Sequence, residues 1–234
     1  MRMILASPSD SAAHALVARW GPERAALITP ADLSRAGWRH HVGGPGRSAA
    51  AVGERVIPAE EVEAVVVRLA AVLEHELDGV RPEDRGYVAA EMTAFLLAWL
   101  DGLDCPVANR PTPSCLNGPP WRPEQWTVAA SRVGLPVAPV RRRIPADGTT
   151  DEPAAPDEVV VTIVGDRCLG GIHPRRAAQT RRLAAHAGVD LLGVRFTDSG
   201  PRSAFLGASA WPDLADPATA DTLDAYLGLG AVAC

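Results

Sequence analysis

The 234-residue chain contains no lysine, so all 23 of its Lys-plus-Arg positions are arginine. Chemistry that needs an ammonium group is thereby excluded: Schiff-base catalysis, the P-loop lysine and any nucleotide clamp built on lysine. Positive charge is also outnumbered. The formal net charge is -5, which argues against a nucleic-acid protein, because neutralising phosphates needs a basic surplus. Cysteine is confined to Cys105, Cys115, Cys168 and Cys234 without a Cys-x-x-Cys pair, so no metal site is expected. Long apolar runs are missing too. The best, Tyr87 to Leu100, contains Glu91 and falls short of the roughly 20 residues of a bilayer span. The opening Met-Arg-Met-Ile-Leu-Ala-Ser-Pro turns polar too soon for a signal peptide. A cytoplasmic protein with reduced thiols is expected.

What is present is a core. Hydrophobic residues make up 47% of the chain, and a chain of this length buries about 70% of its unfolded surface. Met3 to Ala6, the helical spacing of Ala12, Ala15, Leu16 and Trp20, and the run Arg24 to Thr29 read as strand, helix, strand. A Gly, Pro and Arg-rich stretch from Leu33 to Arg55 follows, with a strand or hairpin around His40 to Gly53. Val62 to Val67 is a β-branched strand. Glu83 to Leu103 is a helix whose stripe of Val88, Met92, Phe95, Leu96, Trp99 and Leu103 faces the core. Beyond a short strand at Cys105 to Pro111, a helix opens at Arg122-Pro123 and stops at Gly134. Ile144 to Glu158 has no periodicity and reads as a linker, dividing a domain of residues 1–143 from one of 159–234. The second part offers a strand at Val159 to Val164, an arginine-rich helix through His186, strands at Leu191 to Phe196 and Ala204 to Ala208, and a helix from Ala218 to Leu227.

The candidate binding residues follow from charge and shape. Val159 and Val161 lie on a strand that, at a sheet edge, would accept an added peptide strand. Arg141, Arg142 and Arg143 before the linker, and Arg175, Arg176, Arg181 and Arg182 on a helix, offer forked donors to acidic residues. Trp38 and Trp121 sit beside Gly and Pro, where an exposed aromatic anchors a partner. The pairs His40-His41 and Cys168 with His173 lack a third member or an oxyanion signature, so no catalytic residue is assigned. Asn109-Arg110-Pro111 reads as a turn that organises itself.

Four phrases together resemble a known family. They are the opening strand with Ser7-Pro8-Ser9-Asp10; the helix Asp84 to Leu103 running into Pro106-Val107-Ala108-Asn109-Arg110-Pro111; Arg122-Pro123-Glu124-Gln125-Trp126 with Gly134-Leu135-Pro136-Val137-Ala138-Pro139; and Val159 to Gly165 with Leu183-Ala184 and Gly188 to Phe196. Their order is similar to that of the ATP-grasp peptide ligases of the RimK-like and microviridin (graspetide) type, which form amide or ester bonds on ribosomally made peptides. The resemblance implies an α/β fold: a Rossmann-like pre-ATP-grasp domain over 1–143 and a small α/β remnant of the ATP-grasp domain over 159–234. It also implies a loss. The linker 144–158 stands where the family holds ATP with two lysines, Arg195 stands at the position of a magnesium-binding acid, and Gly207 and Ser209 replace a Glu-x-Asn phrase. An arginine in place of a carboxylate reverses the sign a magnesium site needs. A truncated relative with neither ATP nor metal as cofactor is therefore expected. Its partners would be a ribosomal precursor (leader) peptide and a modifying enzyme of the same pathway, of the crocagin sort, with a homodimer as the assembly. The alternative is an ATP-independent, cyclase-like enzyme using a His or an acid such as Glu91 or Asp198.

Overall fold

A computed structural model describes residues 1–43, 46–139 and 158–230. The chain opens with β1 (Arg2–Ala6), α1 (Ser11–Trp20) and β2 (Ala25–Ile28), as the apolar runs predict. Helix α1 begins where Asp10 Oδ1 accepts the Ala13 N–H at 3.0 Å, which satisfies one of the orphan donors of the first turn. It ends at Gly21, whose φ of 88° only glycine adopts freely. Strands β3 (Ala49–Val52) and β4 (Arg55–Pro58) form a hairpin. The hairpin lies further along than the spacing suggested, because Gly53, at φ 59°, makes the two-residue turn itself instead of ending a strand. Next come β5 (Ala64–Arg68), α2 (Arg85–Asp101) and β6 (Val107–Ala108).

After these come α3 (Pro123–Arg132), β7 (Val159–Val164), β8 (Arg167–Leu169), α4 (Pro174–Ala187), β9 (Leu191–Phe196), β10 (Phe205–Ser209) and α5 (Pro217–Gly230). Strand β8 was not legible in advance. Its three residues have no alternation to show, and pairing with Thr162 to Val164 across the turn at Gly165 creates it.

Two compact units result: Met1–Pro120 together with the segment that starts at Asp213, and Trp121–Pro212. In the first, a parallel sheet has the order β2-β1-β5-β6. All five residues of β1 are buried, as expected of an inner parallel strand covered on both faces. Met3, Leu5, Val65 and Val67 share a core with Leu96, Trp99, Leu100 and Leu103. Val88, Met92 and Phe95 are only partly buried, so the stripe of α2 that meets the core is rotated toward Ala89, Leu96 and Leu100. Helix α5 packs beside α1. Arg19 donates to both oxygens of Asp221 at 2.8 and 2.6 Å, and the buried Arg2 pairs with Asp224.

In the second unit, the sheet has the order β10-β9-β7-β8, with every pair antiparallel. One face packs Val161, Ile163, Leu192, Val194 and Phe196 against Trp126 and Ala130 of α3 and Leu183 and Ala184 of α4. Ahead of the undescribed stretch, Pro136 and Ala138 exchange backbone hydrogen bonds with Phe205, so a short segment runs parallel to the start of β10. Trp126 is 4% exposed and plugs the helix-to-sheet space. Trp126→Ala is expected to cost about 3–5 kcal/mol, measured by denaturant unfolding followed by circular dichroism.

Candidate functional site

In open parallel sheets, ligands sit beyond the carboxyl ends of the strands, where the strand order reverses. Here that point lies between β1 and β5. An ion pair occupies it. Arg68 Nε donates to Asp10 Oδ2 at 2.6 Å, with side chains only 9% and 16% exposed. Burial by itself raises the Asp10 carboxyl, but the hydrogen bonds from Arg68 and the Ala13 N–H, with the Arg68 charge, outweigh it and hold the group below the ordinary aspartate range. Asn109, the residue after β6, is fully buried at φ 54°, a left-handed conformation that asparagine tolerates better than most residues. Arg110 donates to the carbonyls of Leu103 and Cys105 at 3.3 and 3.1 Å, so this phrase fastens its own turn.

The sequence-derived candidates divide between the units. Trp38 is half-buried in the first: its ring meets Phe95 and Trp99 edge-on at 5.8 and 5.3 Å, and its Nε1 donates to Asp32 O. It packs into the core instead of standing exposed. In the second unit β7 is an inner strand, flanked by β9 along its whole length and by β8 over Thr162 to Val164. The edge setting that strand addition at Val159 and Val161 requires is absent where β8 pairs, and Gly170 lies against Val160 O. Arg175 is exposed on the first turn of α4. Arg176 is 5% exposed and turns both terminal nitrogens into the unit, Nη1 donating to Gln179 Oε1 at 2.7 Å and Nη2 to Pro201 O at 2.8 Å. Arg182 reaches Val133 O at 3.1 Å. Arg141, Arg142 and Arg143 lie outside the described residues. Trp121 stands edge-on to Trp126 at 4.8 Å and near the ring of His186, and with Val128 and Arg132 it lines an open groove of about 320 Å³.

The positions that break the family pattern come together. Arg195 and Gly207 are cross-strand partners, as are Gly193 and Ser209. The guanidinium lies over Gly207, where a Cβ would stand 3.2 Å from Nη2, and pairs with Glu158 at 3.3 Å. Among the described residues no group of three or more His, Cys, Asp or Glu could hold a metal ion. Burial pushes the Cys168 thiol up, against the pull of Arg181, and thiolate chemistry needs the opposite. His173 caps α4, its Nδ1 accepting the Arg175 N–H at 3.2 Å. Both Asp198 oxygens are engaged, by Thr197 Oγ1 and the Gly200 N–H, and Glu91 is an exposed residue of α2. Sequence reasoning missed the Asp10–Arg68 pair because 58 residues separate its members.

This architecture is the fold of the ATP-grasp peptide ligases. The chain resembles a Chryseobacterium gregarium RiPP-associated ATP-grasp ligase in complex with ADP and a leader and core peptide (10% identity, 100% of this chain and 97% of that one, TM-score 0.64). It also resembles the ATP-grasp ligase PsnB complexed with minimal precursor (16%, 96% and 98%, TM-score 0.61). A third similar structure is the macrocyclase MdnC bound with precursor peptide MdnA from Microcystis aeruginosa MRC (12%, 95% and 98%, TM-score 0.60). At these identities the likeness is one of fold. No protein-family model and no curated protein matches the chain.

The Asp10–Arg68 pair generates a test. Asp10→Asn leaves a buried guanidinium without its counter-charge, at a cost of about 3 kcal/mol at neutral pH. Because the folded carboxyl lies below its unfolded value, its stabilisation is complete above the ordinary aspartate range and is lost as pH falls through the lowered folded value. Chemical denaturation from pH 7 down to pH 2 should show the wild-type advantage shrinking toward the acid end.

Proposed function

We propose that this protein binds a ribosomally made precursor peptide through its leader and presents it to a modifying enzyme, without ligase chemistry of its own. The observation that carries the reading is the end-to-end likeness of fold to ligases whose solved structures hold a precursor or leader peptide. Two features support the loss of ligase chemistry. The chain has no lysine, and a guanidinium paired with Glu158 stands where the family resemblance puts a magnesium-binding acid. On this reading the chain is a shortened relative of the ligases that works in the cytoplasm as a homodimer. Trp121, with the adjoining groove on α3, and the exposed Arg175 are the second unit's contributions to the peptide surface.

Isothermal titration with the precursor encoded beside the gene tests the proposal. Micromolar binding, about -8 kcal/mol, is expected for the whole precursor and should disappear when the leader is removed. Magnesium ATP should give no binding heat, and the peptide mass should be unchanged after incubation with the protein. Micromolar binding of magnesium ATP or a shifted peptide mass would overturn the non-catalytic part of the reading, and no binding of the precursor would overturn the whole.

A further inference from the structure

A second concave surface lies on the first unit, beginning one residue after Trp38. The chain enters it at Arg39, which exchanges two backbone hydrogen bonds with Ala49 at 3.0 and 2.9 Å and so extends the β3–β4 sheet. It leaves at Ser48, 5% exposed, whose Oγ accepts the His41 N–H at 2.9 Å and whose carbonyl accepts the Ala59 N–H at 2.9 Å. Between these fixed points and the Pro58–Glu60 wall is an open groove of about 570 Å³, within the about 300–1,000 Å³ usual for ligand sites.

Its charge is one-sided. Arg39, Arg47, His40 and His41 line it against a single carboxylate, Glu60. Arg2, Arg19, Arg35, Arg68 and Arg81 of the same unit each lie within 4 Å of a carboxylate. Arg39 and Arg47 have no ion-pair partner among the described residues. In a chain with a net charge of -5, acids are plentiful, so two unpaired guanidiniums facing one concavity form a local positive potential that the fold leaves uncompensated. His40 adds an unsatisfied atom: its Nδ1 is buried without a hydrogen-bond partner, while its ring packs against Gly102 after α2.

We propose that this groove docks an acidic stretch of the bound peptide, two of whose carboxylates pair with Arg39 and Arg47. The inference rests on the peptide-binding reading above and names the chemistry of the segment recognised. Guanidinium forks match carboxylates bidentately. The groove is open, so a polypeptide can run through it. Glu60 within the wall and the chain's net charge of -5 set the groove apart from a nucleic-acid track.

Fluorescence anisotropy with two labelled probes, the precursor and hexaglutamate, tests this on the full chain. The proteins are wild type, R39Q/R47Q, and the charge-matched control R55Q/R167Q, each checked by circular dichroism. Wild type should bind both probes, hexaglutamate with an affinity that falls as salt rises. R39Q/R47Q should bind each at least about tenfold more weakly, the loss of charge-assisted hydrogen bonds, and the control should match wild type. A precursor with its acids changed to amides should lose the same factor on wild type and nothing more on R39Q/R47Q. Precursor binding that is equal in wild type and R39Q/R47Q, or equally weakened in the control, overturns the groove and leaves the peptide-binding reading intact. Arginine-dependent binding of hexaglutamate with no binding of the precursor upholds the groove as an acidic-peptide site and overturns that reading.

Discussion

Arg68 reaching Asp10 across the carboxyl ends of β1 and β5 is the contact on which much of the first unit depends. The same carboxylate caps α1, ties the strand that follows the hairpin to the strand that opens the chain, and neutralises a guanidinium that burial would otherwise penalise. It also fills the crevice where an open α/β sheet takes a ligand, whereas the groove beside the hairpin keeps two arginines without a carboxylate partner among the described residues.

A chain without lysine has only guanidiniums, apart from its amino terminus and histidines, with which to place positive charge. The fold uses them as fasteners. Arg2 and Arg19 hold α5, Arg110 closes the turn after β6, Arg176 ties α4 to the loop at Pro201, and Arg195 covers Gly207 beside Glu158. A planar fork with five donors suits this work, because it can satisfy a carboxylate or several carbonyls at once. Arginines left over from fastening are the ones with free donors for a partner. That distinction separates Arg176, buried and bonded within its unit, from Arg175, its exposed neighbour in sequence.

Much of the element order was legible from runs and caps. Val159 to Val164, Leu191 to Phe196 and the helix around Trp99 are read directly, because buried strands and apolar stripes leave periods in the sequence. The resemblance to ATP-grasp peptide ligases was legible too, and the shared fold agrees with it. What escaped depends on pairing. β8 exists only because Thr162 to Val164 offers an edge, and that pairing makes β7 an inner strand. Trp38, beside glycine in sequence, packs edge-on to two aromatic rings that come from a helix about 60 residues later. The groove between Arg39 and Glu60 appears only when β3 and β4 bring its two walls together.

The sequence by itself determined which charged groups the fold has to work with: no lysine ammonium, 23 arginines and a net charge of -5. It also determined the alternation of strands and helices, since burial demands matching periods of apolar residues. Only the tertiary structure decided which charges are spent and which remain. An arginine's sequence neighbourhood does not reveal whether a carboxylate 58 or 202 positions away will meet it, as happens at Arg68 and Arg19. The free energy of a charge depends on burial and on its partners in space, and both are set by the fold.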